Sequence, residues 1–311
     1  MAATAVAGKR EAATVVFAYH TVGVRCLQIL LDQGVKVALV VTHEDDPGEQ
    51  IWFDSVARLA SKQGIPVITP DDPNTPEMLA RIRGLKPDFL FSFYYRRMLS
   101  PDLLAAATRG AFNMHGSLLP KYRGRVPINW AIIKGETETG ATLHEMVAKP
   151  DAGRIVDQQA VAIGPDDLAI DVFRNVTNAA AVVLARSLPG LISGTAVLKA
   201  QDLSQGSYFS GRKPEDGRID WSQGARAIHD LVRAVAPPYP GAFTTVAGKP
   251  LRILRTRLEP GRAVRPGSPG LYCDGSAYYA DCADGRVLRL LETEGAPTQA
   301  ALGNNKIPFE D

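Results

Sequence analysis

The chain has 311 residues, 45% hydrophobic and 22% charged, with 35 Lys and Arg against 33 Asp and Glu for a net charge of +2. This balance describes a globular protein with material for two domains, at roughly 150 residues each, and excludes a largely disordered chain. A charge so near zero also excludes a nucleic-acid or anionic-membrane binder working through its overall field, so any polyanion must be held locally.

The amino-terminal MAATAVAGKREAA is broken by Lys9, Arg10 and Glu11 before the apolar core of an export signal can form, so no export is expected. Next, TVVFAYH reads as a buried strand, VGVRCLQILLDQG as an amphipathic helix closed by Gly34, and VKVALVVTH as a second strand, together one βαβ unit. Helical IWFDSVARLASKQG, strand IPVIT, helical PEMLARIRGL and strand DFLFSFYY continue the alternation to about residue 115. That pattern predicts a parallel sheet with helices on both faces and functional loops beyond the carboxyl ends of its strands. Those loops hold His20, Tyr94–Leu99 and the segment after GAFNMH.

Further on, GATLHEMV and GRIVDQQAVAI read as strands joined by AKPDA, and a long helix is expected from about Asp167 to Ile192. The polar, Gly- and Ser-rich QDLSQGSYFSGRKPEDGRI reads as a linker, dividing the chain into a first domain over 1–205 and a second over 206–311. In the second, a short helix QGARAIHDLVRAV precedes β-type runs AFTTVAG, LRILRTRLE, GLYCDG and RVLRLLETE. No purely apolar stretch approaches the roughly 18 residues of a membrane helix, so no membrane insertion is expected. Cys26, Cys273 and Cys282 form neither an even disulfide set nor a CxxC pair, which with the missing export signal places the protein in the reducing cytoplasm.

Several chemistries lack their sequence basis. After the first strand HTVGVRC carries only Gly23, so the GxGxxG fingerprint of a nicotinamide enzyme is absent, and no P-loop occurs. His20, His43, His115, His144 and His229 form no HExxH and no close pair with an acidic ligand, so no catalytic metal is expected; the cysteines read as packing residues. What remains is Asn113-Met114-His115-Gly116-Ser117-Leu118-Leu119-Pro120 at the end of a strand. Asn113 and His115 are two apart and project to one face, setting a donor amide beside a titratable imidazole. That pair suits acyl transfer, where an oxyanion needs donors and the nucleophile needs a proton acceptor. Asp151 is the best candidate for the carboxylate that orients the ring and favours its charged form. Taken singly, each has a structural alternative: a hydrogen-bonded histidine, a turn-forming asparagine, an aspartate capping a tight turn. Lys121, Arg123 and Arg125 read equally as a solvated loop or as a site for phosphate or carboxylate.

Over FNMHGSLLPKYRGRVPINWAIIKGETETGATLHEMVAKPDAG the chain resembles the folate-dependent formyltransferases, whose signature is an Asn-x-His, an SLLP loop, a following RG and P segment, and an Asp in a D-x-G turn. Within that family VVFAYH, THEDDPGE, SVARLASKQGIPV, FSFYYRRML, HGSLLPKYRGR and PPYPGAF are most similar to the branch acting on UDP-4-amino-4-deoxy-L-arabinose in lipid A modification and polymyxin resistance, over about residues 13 to 305. The resemblance implies a Rossmann-like, mostly parallel sheet domain followed by a small OB-like β-barrel. It also implies 10-formyltetrahydrofolate as formyl-donating cosubstrate, a nucleotide-sugar acceptor and no nucleic-acid partner. It assigns His115 as proton donor and acceptor, Asn113 as stabiliser of the oxyanion, and Asp151 as the group raising the imidazole pKa. Contacts to the donor are implied for Arg97, Met98, Leu99, Arg125, Val147, Ala148, Lys149, Pro150 and Asp151. Arg97 stands where a His is familiar, and Ala148 and Pro150 replace longer polar residues, so backbone contacts are expected from that loop. The decarboxylase domain that accompanies this branch in a bifunctional enzyme is expected to be absent from this chain. The alternatives are a methionyl-tRNA formyltransferase, disfavoured by a sum of only about +2 beyond residue 205, and a formyltransferase for another nucleotide-linked amino sugar. A third, from a different class, is an NAD-dependent oxidoreductase.

Overall fold

The computed structural model describes residues 13–302 and 305–310; the segment through residue 12, read above for an export signal, lies outside them. Strand β1 (Ala13–Ala18), helix α1 (His20–Asp32) and β2 (Lys36–Val41) form the βαβ unit, with β1 parallel to β2. The strands are near-continuous apolar runs because a parallel sheet is covered on both faces. Helix α2 (Val56–Lys62) starts later than the periodicity predicts, because the Ser55 hydroxyl caps it by accepting from the Arg58 N–H at 3.3 Å. Trp52 and Phe53, expected inside that helix, instead bring their rings to His20, at centroid distances of 4.6 and 4.0 Å.

The alternation continues through β3 (Val67–Ile68), α3 (Pro76–Leu85), β4 (Phe89–Phe93), a short α4 (Pro101–Leu104) and β5 (Gly110–His115). Thr75 caps α3 and Pro76 occupies its first turn, where a missing N–H costs nothing. Between β5 and the next sheet strand come two elements that the periodicity does not announce, a two-residue β6 (Arg123–Gly124) and α5 (Pro127–Ile133). Strands β7 (Glu138–Glu145) and β8 (Ile155–Ala162) complete a seven-stranded sheet in the order β3-β2-β1-β4-β5-β7-β8. Strand β7 runs antiparallel to β5, so the sheet is mixed rather than wholly parallel. Val15, Phe17, Leu39, Val41, Ile82, Leu90 and Leu103 form a buried cluster on one of its faces, and each such side chain contributes about 1.5–3 kcal/mol on burial.

Helix α6 (Ala169–Ser193) covers nearly the span the sequence predicts. By length and hydropathy it could cross a bilayer, yet 56% of its most apolar window is buried inside the protein, the pattern of a core helix. The stretch read as a linker contains β9 (Tyr208–Phe209), which pairs in parallel with β6. Helix α7 (Ala225–Val235) follows, and then β10 (Ala242–Val246), β11 (Lys249–Leu258), β12 (Gly270–Asp274), β13 (Ala277–Asp281), β14 (Val287–Glu294), the short α8 (Gln299–Leu302) and β15 (Ile307–Glu310). These six strands form a closed barrel in the order β10-β11-β14-β13-β12-β15, closed by β15 pairing with both β10 and β12. All three cysteines are free and buried.

Two compact units result. The first comprises the described residues up to Pro120 with Ala141–Gln159 and Thr177–Gly206; the second comprises Lys121–Gly140, Ala160–Val176 and the chain from Ser207 on. In the second unit Arg233 is buried: its Nε donates to Asp230 Oδ1 at 2.7 Å and its Nη1 to the carbonyls of Gly164 and Asp167, each at 3.2 Å.

Candidate active site

Asn113 and His115 lie on β5 between β4 and β7, where the pleat turns alternate side chains to one face. His115 is buried. The SLLP loop that follows is tied down by Thr142, which sits opposite His115 on β7. The Thr142 hydroxyl donates to the Ser117 carbonyl at 2.6 Å and accepts from the Leu119 N–H at 3.2 Å and from Gln158 Nε2 at 2.9 Å. Gln158 also donates to the Leu119 carbonyl at 2.8 Å. With every lone pair and proton of Thr142 used, the chain leaving His115 has a defined course.

Asp151 comes from the loop joining β7 to β8. The base of that loop is a clasp: the Glu145 N–H donates to the Arg154 carbonyl at 2.9 Å, and the Arg154 guanidinium forks onto both Glu145 carboxylate oxygens, each at 2.9 Å. Hydrogen bonding from Arg154 holds the Glu145 carboxyl below the usual range. Gly153 packs where an added Cβ would overlap the Glu145 carbonyl oxygen, which explains the glycine of the D-x-G turn. Gln201 Nε2 donates to the carbonyls of Asp151, at 3.0 Å, and Gly153, at 2.5 Å. Asp151 itself adopts φ 52°, in the left-handed region that aspartate tolerates better than most residues. Its Oδ1 stands 3.6 Å from His115 Nδ1 and 3.5 Å from His144 Nε2.

His144 is the residue that the sequence reading passed over. Its Nδ1 is 2.9 Å from the Glu145 carbonyl oxygen, which can only accept, so Nδ1 carries hydrogen. In the neutral ring Nε2 then accepts from Asn113 Nδ2 at 3.1 Å. One amide hydrogen of Asn113 is thus spent on orientation, and the second remains for a ligand. Only the antiparallel register that sets Asn113 opposite His144 brings the pair together.

Of the other candidate residues, Arg97, Met98 and Leu99 follow β4. Leu99 is buried, whereas Met98 is 59% exposed and its carbonyl accepts from Asn74 Nδ2 at 2.9 Å. Val147, Ala148, Lys149 and Pro150 lead into Asp151, with Val147 exposed. Met146 packs against the same buried cluster as Tyr95 and Leu99, so the two segments share a base. Arg125 belongs to the second unit, its backbone N–H bonded to the Phe209 carbonyl at 3.0 Å.

The strand order reverses between β1 and β4, the place where ligands enter open α/β sheets. The residues just beyond these strands, His20 and Tyr94, have φ of 69° and 57°. Burial drives the His20 pKa down to about 3 and that of His43 down to about 4, with Arg96 adding to both shifts. Arg96 forks onto Glu49 at 2.7 Å and lies over the Tyr19 ring. A cavity of about 240 Å³ opens beyond the carboxyl ends of β1, β2 and β3, lined by Tyr19, Thr42, His43, Asp45, Ser55 and Thr69 among others.

An amide, an imidazole and a carboxylate gathered at the carboxyl edge of a Rossmann-like sheet are what a transferase needs to pass on a carbonyl group. Residues 15–188 match the formyl transferase family and residues 212–301 match the formyl transferase C-terminal domain. The chain belongs to the formyl transferase family. Among solved structures it resembles an N-formyltransferase from Helicobacter canadensis in complex with folinic acid and dTDP-3-aminofucose, at 22% identity and TM-score 0.70 over 89% of this chain and 98% of that one. It is similar to WlaRD, a sugar 3N-formyltransferase determined in the presence of dTDP and 5-N-formyl-THF, at 19% identity and TM-score 0.71 over 93% and 100%. A 4-N-formyltransferase from Francisella tularensis matches at 20% identity and TM-score 0.64 over 78% and 96%. These likenesses are of fold.

Proposed function

We propose that the chain transfers the formyl group of 10-formyltetrahydrofolate to the 4-amino group of UDP-4-amino-4-deoxy-L-arabinose by direct attack of the neutral amine on the formyl carbon. The observation that carries this reading is Asp151 Oδ1 at 3.6 Å from the ring of His115, which stands two residues from Asn113 on one strand face. The Asp151 carboxylate faces Nδ1 of the His115 ring and orients it for proton transfer. As the amine attacks, the neutral ring of His115 takes the proton it releases; the resulting imidazolium and the second amide hydrogen of Asn113 hold the oxyanion, and the imidazolium then passes that proton to the folate nitrogen as its bond to the formyl carbon breaks. No covalent bond to the enzyme is required.

Support for a partly apolar cosubstrate at these segments comes from Met98 and Val147, which are exposed, while their chain neighbours Leu99 and Met146 belong to one apolar cluster. Backbone groups of residues 147–151 would meet its polar edge. The branch-specific segments quoted above and the nucleotide sugars named with two of the similar structures support an amino-sugar acceptor. The test is a mass assay with formyl-folate and a panel of UDP- and dTDP-amino sugars and methionyl-tRNA. A formyl mass gained by the UDP-amino-pentose first and fastest is expected. Formylation of methionyl-tRNA alone would overturn the acceptor, and no transfer to any amine would overturn the reaction.

A further inference from the structure

We infer that Arg123 is the receiving group for an oxyanion of a bound substrate, in a subsite carried by the second unit. Arg123 lies on β6, and its side chain is buried, with the residue only 8% exposed. Its Nε has no hydrogen-bond partner. Among the described residues no ion pair joins this guanidinium to a carboxylate, although Glu136, in the same unit, accepts from Tyr122 at 2.9 Å and pairs with Lys121 at 3.8 Å. Asp230 is likewise engaged, by Arg226 and Arg233. An arginine cannot shed its charge, so burying one without a counter-ion is costly unless something outside the chain completes it.

The backbone around Arg123 is held on both sides. Tyr122 and Gly124 have φ of 57° and 98°, and a Cβ on Gly124 would overlap the Phe209 carbonyl. The N–H groups of Arg123 and Arg125 donate to the Ser207 and Phe209 carbonyls, each at 3.0 Å, and the Tyr122 N–H donates to Ser207 Oγ at 2.9 Å. Phe209 stacks between Tyr122 and Trp130, at centroid distances of 5.3 and 4.8 Å. The backbone that carries the cation is therefore held in place, with Nε buried and unpartnered, the combination of strain and over-determination found at ligand clamps. A planar guanidinium fork matches two oxygens of a phosphate or a carboxylate. Both substrates of the proposed reaction, on which the choice of ligands rests, carry such oxygens: the acceptor in its diphosphate, the donor in its glutamyl carboxylates.

Calorimetric titration of the full chain with UDP, inorganic pyrophosphate and tetrahydrofolate, repeated on Arg123→Met and Arg123→Lys, distinguishes the two sources. Arg123→Met should bind one class at least about 30-fold more weakly and keep the other, while Arg123→Lys, a point charge, recovers part of the loss. Weakened UDP and pyrophosphate binding assigns the diphosphate, and weakened tetrahydrofolate binding assigns the carboxylate. Without ligand, Arg123→Met should melt no lower than the parent chain, because it removes an uncompensated charge. Unchanged affinity for all three ligands, no binding of any by the parent chain, or a lowered melting temperature in both variants overturns the proposal. Binding is read here without turnover, so a failure of formyl transfer to the amino sugar would be seen separately in the mass assay.

Discussion

His115, Asp151, Asn113 and His144 differ in what their loss should do. On the proposed mechanism His115→Ala removes the proton relay, and kcat should fall about 10²–10⁴-fold with the melting temperature unchanged, read by single-turnover formylation. Asp151→Asn keeps the shape and removes the charge; a fall in kcat of about 100-fold with KM little altered is expected. His144→Phe leaves Asn113 without its acceptor and, on the proposed mechanism, lets the amide turn away from the formyl carbonyl. A loss of about 10- to 100-fold in kcat at constant KM should follow, with partial recovery in His144→Gln, whose amide oxygen can still accept. Asn113 and His115 were legible because a period of two at a strand end needs only local geometry. His144 was not, because its role depends on which strand pairs with β5 and in which direction.

The hairpin loop from Met146 to Gly153 is the element on which the site turns. A methyl group at Gly153 would meet the Glu145 carbonyl, so Gly153→Ala must push the loop outward and carry Asp151 away from the two rings. Calorimetry should record a destabilisation of about 1–3 kcal/mol together with a drop in kcat. The sequence announced β7, β8 and the loop between them through apolar patterning and the D-x-G turn. It did not announce that β7 runs against β5, since periodicity reports faces and not directions. Helix α5 and strands β6, β9, β13 and β15 were missed for a related reason: each is so short or so dependent on its neighbours that little local pattern survives.

At the scale of the molecule, buried charge and buried histidine set the response to pH and to mutation. His20 and His43 titrate near 3 and 4 when folded, below the 6.5 expected for the unfolded chain. From pH 6.5 down towards 4 the unfolded state therefore binds more protons, and stability declines as pH falls. A fall in melting temperature between pH 7.5 and 5 that is smaller in His43→Gln would confirm this origin. In the second unit Arg233→Met leaves Asp230 with Arg226 as its remaining partner and takes the donor from two backbone carbonyls; a loss of about 3 kcal/mol in denaturant unfolding is expected. Gln201 reaches back fifty positions to brace Asp151. A protein engineer who transplanted the signature strand and its loop into a foreign scaffold would carry over the candidate side chains without the strut that holds the loop backbone beneath Asp151, and should expect an inert graft until that glutamine is supplied too.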